Sequence, residues 1–233
     1  MVAIERRNAV LQFRHEVKHE ISHHDMLILR QRLRAVMKPD SHAVNGRYEI
    51  RSLYFDNLDD KALREKLDGV NIREKYRIRL YNNDPSVIHL ERKFKHGGLG
   101  CKTSATLTAE QAQAITDGDV DWMSRSTDEM ILGFYTRIRN GGLKAKVIVD
   151  YIREPFVFDP GNVRVTLDYG IRTSMSCTDF LNPACVTVPI QDSPCILEVK
   201  WDGFLPDVIR HAVQLDGRHS AAFSKYAASR MYD

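Results

Sequence analysis

The chain is 233 residues long and 43% hydrophobic, enough to bury a sizeable core in one large domain, and its 34 basic and 31 acidic side chains leave a formal net charge of only +3. With that balance any affinity for anions must come from how the charges are arranged rather than from their total; no nucleic-acid partner is expected. No apolar run approaches the roughly 18 residues of a spanning helix, the N-terminus lacks the design of a signal peptide, and Cys101, Cys177, Cys185 and Cys195 form no C-x-x-C pair, so a cytoplasmic protein with reduced thiols is expected.

The first informative stretch is RHEVKHEI, Arg14 to Ile21, where His15, Glu16 and His19 spell the zinc-protease motif H-E-x-x-H. That motif works only on a helix, where both imidazoles share a face. The same residues alternate as a strand would, with Phe13, His15, Val17, His19 and Ile21 on one side and Arg14, Glu16, Lys18 and Glu20 on the other. Local pattern alone leaves the choice open. Next, Ser22 is placed to cap an amphipathic helix carrying Met26, Leu27, Leu29, Leu33 and Val36. YEIRSLYFDN reads as a strand, LDDKALREKLDG as a short helix stopped by Gly69, and EKYRIRLYN and SVIHLERKF as two more strands. HGGLGCKTS invites a phosphate-loop reading, yet Cys101 separates Gly100 from Lys102, so the stretch is expected to be a glycine-rich hairpin carrying Lys102 back into the sheet. Thr108 and Gly118 bound a helix over TAEQAQAITDG, and STDEMILGFYTRIRNGG is a longer one. The strands KAKVIVDYIREPFVF, NVRVTLDYGIRTS and PCILEVKWDG follow. Helices over LPDVIRHAVQLDG and SAAFSKYAASRMY close the set.

The chemistry of the alternate strand faces carries more information than the strands themselves. Arg77 and Arg79 oppose Ile78 and Leu80; Glu91, Lys93 and Lys95 oppose Leu90 and Phe94; Arg164, Thr166 and Asp168 oppose Val163, Val165 and Leu167; Glu198 and Lys200 oppose Leu197 and Val199. A merely solvated sheet face is usually padded with Ser, Thr, Asn and Gln, whereas these faces hold Arg, Lys and Glu. Cations mixed with carboxylates suit a phosphate-rich ligand and a divalent metal. If the sheet closes into a barrel with helices over its apolar outside, the charged face becomes a lumen. In that context His15 and His19 belong to the first strand, as packing or surface residues rather than zinc ligands.

In order, RHEVKHEI, SLYFDN, KYRIRLY, LERKFKHGG followed by Lys102, DYIREPFVF, VRVTLDYGIRTS, LEVKWDG and FSKYAASR resemble the VTC domain. This is the polyphosphate polymerase branch of the triphosphate tunnel metalloenzyme (CYTH-like) superfamily, and the resemblance runs from about Arg14 to Arg230. It implies an α+β fold in which an antiparallel, closed β-barrel forms a tunnel with helices packed around its outside. It also implies roles. Lys18 corresponds to a tunnel lysine, Arg77 and Arg79 to paired phosphate-binding arginines, Lys93 and Lys102 to further phosphate ligands, and Tyr151 and Arg153 to contacts of the terminal phosphates. Glu198 matches a metal-binding glutamate and Lys225 a lysine near the tunnel mouth; Lys200 and Arg164 join the phosphate- and nucleotide-binding set, and Glu16 joins Glu198 as a ligand for Mn²⁺ or Mg²⁺. The implied reaction is phosphoryl transfer from ATP to a growing inorganic polyphosphate chain. A tripolyphosphate or nucleoside triphosphate hydrolase and a non-catalytic polyphosphate-binding module are the alternatives. One departure bears on this choice: the superfamily opens with E-x-E-x-K, and here Arg14 replaces the first glutamate, which argues against simple hydrolysis. The phosphate-sensing and membrane-spanning portions of eukaryotic relatives have no counterpart in this sequence, so membrane delivery of product is not assumed, although a membrane partner stays compatible with the resemblance.

Overall fold

The computed structural model describes residues 13–192, 194–215, 217 and 223–231. H-E-x-x-H lies in a strand, β1 (His15–Ile21), which sets His15 and His19 roughly 13 Å apart along the chain. They cannot share a metal as helix neighbours would, and His15 instead stacks on Trp201 with ring centroids 5.2 Å apart. Ser22 caps α1 (His23–Val36) as expected: its hydroxyl accepts from Asp25 N at 3.0 Å while the Asp25 carboxylate accepts from Ser22 N at 2.9 Å. This reciprocal pair satisfies two helix-end donors. Residues Met26, Leu29 and Leu33 are buried along the inner stripe of α1, each contributing about 2 kcal/mol by leaving water.

A two-residue strand, β2 (Lys38–Pro39), leads to β3 (Tyr48–Asp56), α2 (Lys61–Leu67), β4 (Arg73–Tyr81), β5 (Asp84–His96) and β6 (Leu99–Leu107). Two tight turns make β4, β5 and β6 a meander. Asn82 and Asn83 turn the first with φ of 53° each, and Gly97 and Gly98 turn the second with φ of 58° and 82°. Positive φ at both turn positions is what a two-residue hairpin of native twist requires. The phosphate-loop look-alike is therefore a hairpin, and the strand behind it carries Lys102. The chain continues through α3 (Ala109–Asp117), capped by Thr108 and ended by Gly118, then a short 3-10 turn, α4 (Glu129–Gly141), β7 (Lys144–Phe158), β8 (Val163–Thr173), β9 (Val188–Pro189), β10 (Cys195–Trp201), α5 (Asp207–Val213) and α6 (Lys225–Ser229). The last helix is shorter than SAAFSKYAASRMY suggests; residues 220–222 and 232 of that stretch lie outside the described residues.

All strand pairs are antiparallel, in the order β1-β10-β8-β7-β3-β4-β5-β6, with β2 added on β7 and β9 on β8. The expected closed barrel is not what forms. The sheet curls into an open half-barrel whose outer strands, β1 and β6, meet at one bridge, Arg14 with Gly100, through N–H···O bonds of 3.1 and 3.2 Å. Closure needs a ladder along two edges in matching stagger. Among the described residues the edges overlap only at that bridge, and beyond it side chains span the gap: Lys93 of β5 reaches Glu16 of β1 at 2.6 and 2.9 Å.

The convex face is apolar and covered. α1 and α5 lie over Val165, Leu167, Leu197 and Val199, while α3 and α4 lie over Leu53, Ile78, Leu90 and Leu107. The concave face is divided. At one end Ile50, Tyr54, Val147, Val149 and Ile196 pack with Tyr226 of α6, which stacks on Tyr54 at 5.2 Å. Beyond α6 the same strands turn to charged residues. No helix among the described residues is long and apolar enough to cross a membrane.

Candidate functional site

The charged part of the concave face bounds a cavity of about 370 Å³. Strand alternation aims into it Glu16 and Lys18 from β1, Glu198 and Lys200 from β10, Arg164 from β8, Tyr151 and Arg153 from β7, Lys75, Arg77 and Arg79 from β4, Glu91 and Lys93 from β5, and Lys102 from β6. Lys225 enters from α6. With Arg14 at its edge, eleven Lys and Arg residues line this wall against three glutamates, so the cavity is rich in basic side chains although the whole chain is close to neutral.

The carboxylates are clamped, each by several cations. Glu16 receives Lys93 and, at 3.0 Å, Lys18; Glu198 receives Lys18 at 3.4 Å, Lys200 at 3.2 Å and Arg153 at 3.1 Å. Lys18 stands between two strands in register, opposite Glu198, and so binds both acids. Across the cavity Glu91 is gripped by Arg77 at 2.6 Å, Lys102 at 2.8 Å and, more loosely, Arg79 at 3.8 Å. Deeper, fully buried Asp168 takes a two-pronged bond from Arg153 at 2.6 and 2.7 Å and the ammonium of Lys225 at 2.5 Å. Arg79 donates to the Tyr151 hydroxyl at 2.8 Å, and Lys225 sits 4.5 Å over the Tyr151 ring.

This crowding shifts the titration of the lining. Burial disfavours charge on Lys18, yet Glu198 and Glu16 hold its ammonium above the usual lysine range. Burial likewise works against Glu198 and Glu91, and the neighbouring cations, Lys18 for the first and Arg77 for the second, keep both well below ordinary glutamates. Asp168, despite burial, falls to about 2 beside Arg153 and Lys225. Lys93 goes the other way: burial, then repulsion from Lys18, takes it well below the lysine range. Lys75, which has no carboxylate partner among the described residues, drops to about 8 through burial and nearby cations. Next to it Tyr54, whose hydroxyl accepts from Arg77 at 3.1 Å, is brought down to about 7 as Arg77, Lys75 and Arg79 overcome the effect of burial. The wall thus holds more basic groups than its acids can offset, and burial among other cations is what lowers Lys75 and Lys93.

The structure brings together Glu16, Lys18, Arg77, Arg79, Lys93, Lys102, Tyr151, Arg153, Glu198, Lys200 and Lys225. Arg164 lies on the same wall but at its margin, with its guanidinium 2.9 Å from Asp40. Arg14, which stands where the first glutamate of E-x-E-x-K would be, turns to Asp202 at 2.7 Å. Sequence reading passed over four residues of the site: Tyr54, Lys75, Glu91 and Asp168. Lys75 has the strand parity of Arg77 and Arg79, and Glu91 and Asp168 were already on charged faces, so parity alone could have found these three. Tyr54 had no such mark.

Glu16 and Glu198 are the oxygen donors available to a divalent cation. They are adjacent, and beside Glu198, in register on the next strand, the Thr166 hydroxyl is 2% exposed and lacks a hydrogen-bond partner. A pair of carboxylates fits a hard cation such as Mg²⁺ or Mn²⁺ that takes its other ligands from phosphate and water. Among the described residues no set of three His, Cys, Asp or Glu side chains is arranged to hold a metal without a ligand's help.

The VTC domain family matches residues 13–232. No curated protein matches the sequence. Among solved structures, a putative adenylate cyclase from Bacillus halodurans is similar with a TM-score of 0.50 at 13% identity, over 81% of this chain and 80% of that one. The PH1012 protein of Pyrococcus horikoshii gives 0.46 at 12% identity, over 91% and 96%. At such identities the first likeness concerns the fold, a curled antiparallel sheet with helices on its outside. The family match spans nearly the whole chain and every strand of the charged wall, and the chain belongs to the VTC domain family.

Proposed function

We propose that the protein transfers phosphoryl groups from ATP to the end of an inorganic polyphosphate chain held in the concave cavity, with Mn²⁺ or Mg²⁺ as cofactor. The observation that carries this reading is the excess of Lys and Arg side chains over Glu16, Glu91, Glu198 and Asp168 on one wall, a composition that calls for a ligand with many anionic oxygens. Phosphoryl transfer asks little covalent chemistry of a protein; it asks for alignment and for neutralised charge on the phosphate oxygens. Arg77, Arg79 and Arg153 offer planar forks for paired oxygens, and Lys18, Lys93, Lys102, Lys200 and Lys225 offer point charges. A divalent ion at Glu16 and Glu198 would supply Lewis-acid neutralisation of phosphate oxygens. Acceptor chain and nucleotide would lie end to end along the open trough. The three lining glutamates are all held in ion pairs, which favours an anionic acceptor over activated water.

Hydrolysis is the second reading, and the placement of Tyr54 favours it: its side chain lines the cavity and accepts from Arg77 at 3.1 Å, and the nearby cations lower its hydroxyl, so that its phenolate could accept a proton from water. One experiment separates the two. Purified protein incubated with ATP and Mn²⁺, then resolved on a gel, should yield long polyphosphate. Orthophosphate with no polymer would replace the synthetic reading with the hydrolytic one, and no turnover of ATP or tripolyphosphate would leave a binding module.

A further inference from the structure

Away from the channel, the crossing from β8 to β9 brings two of the four cysteines together. Cys177 Sγ lies 3.0 Å from Cys185 Sγ, with Cys177 exposed, Cys185 buried and both free. The loop holds them there without help from the sulfurs. Cys177 N donates to Ser174 O at 3.2 Å, the Ser174 hydroxyl donates to Cys177 O at 2.5 Å, and Cys185 N donates to Asn182 O at 3.1 Å. Between the two cysteines Arg51, paired through Nε and Nη2 with Asp150 at 3.0 Å each, donates to Asn182 O at 2.6 Å. Phe180 anchors the middle of the loop in the core at 1% exposure. Joining the sulfurs therefore requires little further ordering of the backbone.

We propose that Cys177 and Cys185 form a reversible disulfide, a modification site whose oxidant is a small-molecule disulfide such as oxidised glutathione. The exposed thiol reacts first. Cys177, as thiolate, attacks one sulfur of the reagent, forming a mixed disulfide and expelling one glutathione thiolate, which takes a proton. Cys185 then gives up its proton and attacks Cys177 Sγ, forming the internal disulfide and expelling the second glutathione. Two protein thiols are oxidised and one glutathione disulfide is reduced to two thiols. Burial and the adjacent thiol push Cys185 up to about 12, so its thiolate is scarce at neutral pH, and closure should speed up about tenfold per pH unit.

The test is to incubate the native full chain with oxidised glutathione at neutral and at mildly alkaline pH, block the remaining thiols, and map the products by mass. Expected is a loss of two hydrogens with the Cys177 and Cys185 peptides joined, faster in alkali and reversed by dithiothreitol. Cys185→Ser should stop at a stable glutathione adduct on Cys177, and Cys177→Ser, at an exposed position that folding tolerates, should form no bridge. A wild-type protein that stops at the adduct, keeps all four thiols, or bridges through Cys101 or Cys195 overturns the proposal.

Discussion

At the scale of single residues, Tyr54 and Lys75 give the site a pH dependence of known sign. In the folded protein they titrate near 7 and 8, below the values of 10.0 and 10.5 for free side chains. Between about pH 7 and 9 the unfolded chain therefore binds more protons than the folded one, so stability of the empty protein should rise with pH across that window. Urea midpoints at the two ends of the window check this, and Tyr54→Phe should flatten the rise; a wild-type midpoint that falls with pH would contradict the assignment. Binding a polyanion reverses the field on both groups and should draw protons in. Calorimetry of tripolyphosphate binding in buffers of different ionisation enthalpy should show proton uptake, reduced in Tyr54→Phe. Glu198 makes a second case. It alone faces Lys18, Lys200 and Arg153 together, and Glu198→Gln leaves three cations without that countercharge, a loss of roughly 3 kcal/mol or more of stability. That variant should melt lower when empty, recover much of the loss in tripolyphosphate, and lose Mn²⁺-dependent turnover. Full turnover at low millimolar Mn²⁺ would remove Glu198 from the metal site.

At the scale of elements, one buried acid ties two helices to the sheet. Asp56, at the end of β3, is 0% exposed and accepts from Asn57 N, Ala62 N and Leu63 N and from the Tyr226 hydroxyl at 2.7 Å. It thus caps the start of α2 and pins α6, the helix that brings Lys225 to Asp168. Asp56→Ala strands those donors and should cost about 3 kcal/mol in urea denaturation, with weaker tripolyphosphate binding because α6 is loosened; a loss below about 1 kcal/mol would mean that α6 is held elsewhere. Legibility in the sequence follows the same scale. Strand faces were readable because side chains alternate with period two, so Arg77 and Arg79, or Glu198 and Lys200, announce a common side wherever the strand pairs. Ser22, Thr108 and Gly118 were readable because helix ends need particular atoms at particular places. The hold of Asp56 on Tyr226, 170 residues away, leaves no local trace. Neither does the opening between β1 and β6, since it depends on how two edge strands overlap after eight strands of accumulated twist.

At the scale of the whole molecule, the fold separates an apolar convex face that holds the helices from a concave face where like charges are forced together. Two unit charges ~4 Å apart at an effective dielectric near 20 interact by about 4 kcal/mol, so an excess of cations on one wall is a standing cost in the empty protein. A polyanion that relieves it should stabilise the fold beyond ordinary salt. Ligand at 100 times its dissociation constant adds about 2.7 kcal/mol, several degrees of melting temperature for a chain of this size. The most direct measurement is therefore the melting temperature at neutral pH with tripolyphosphate, with sulfate at equal ionic strength, and with neither, in the wild type and in Arg77→Ala/Arg79→Ala. A rise of several degrees with tripolyphosphate, little change with sulfate and a diminished rise in the double variant are expected. Equal melting temperatures with and without tripolyphosphate across millimolar concentrations would contradict a polyphosphate-binding channel.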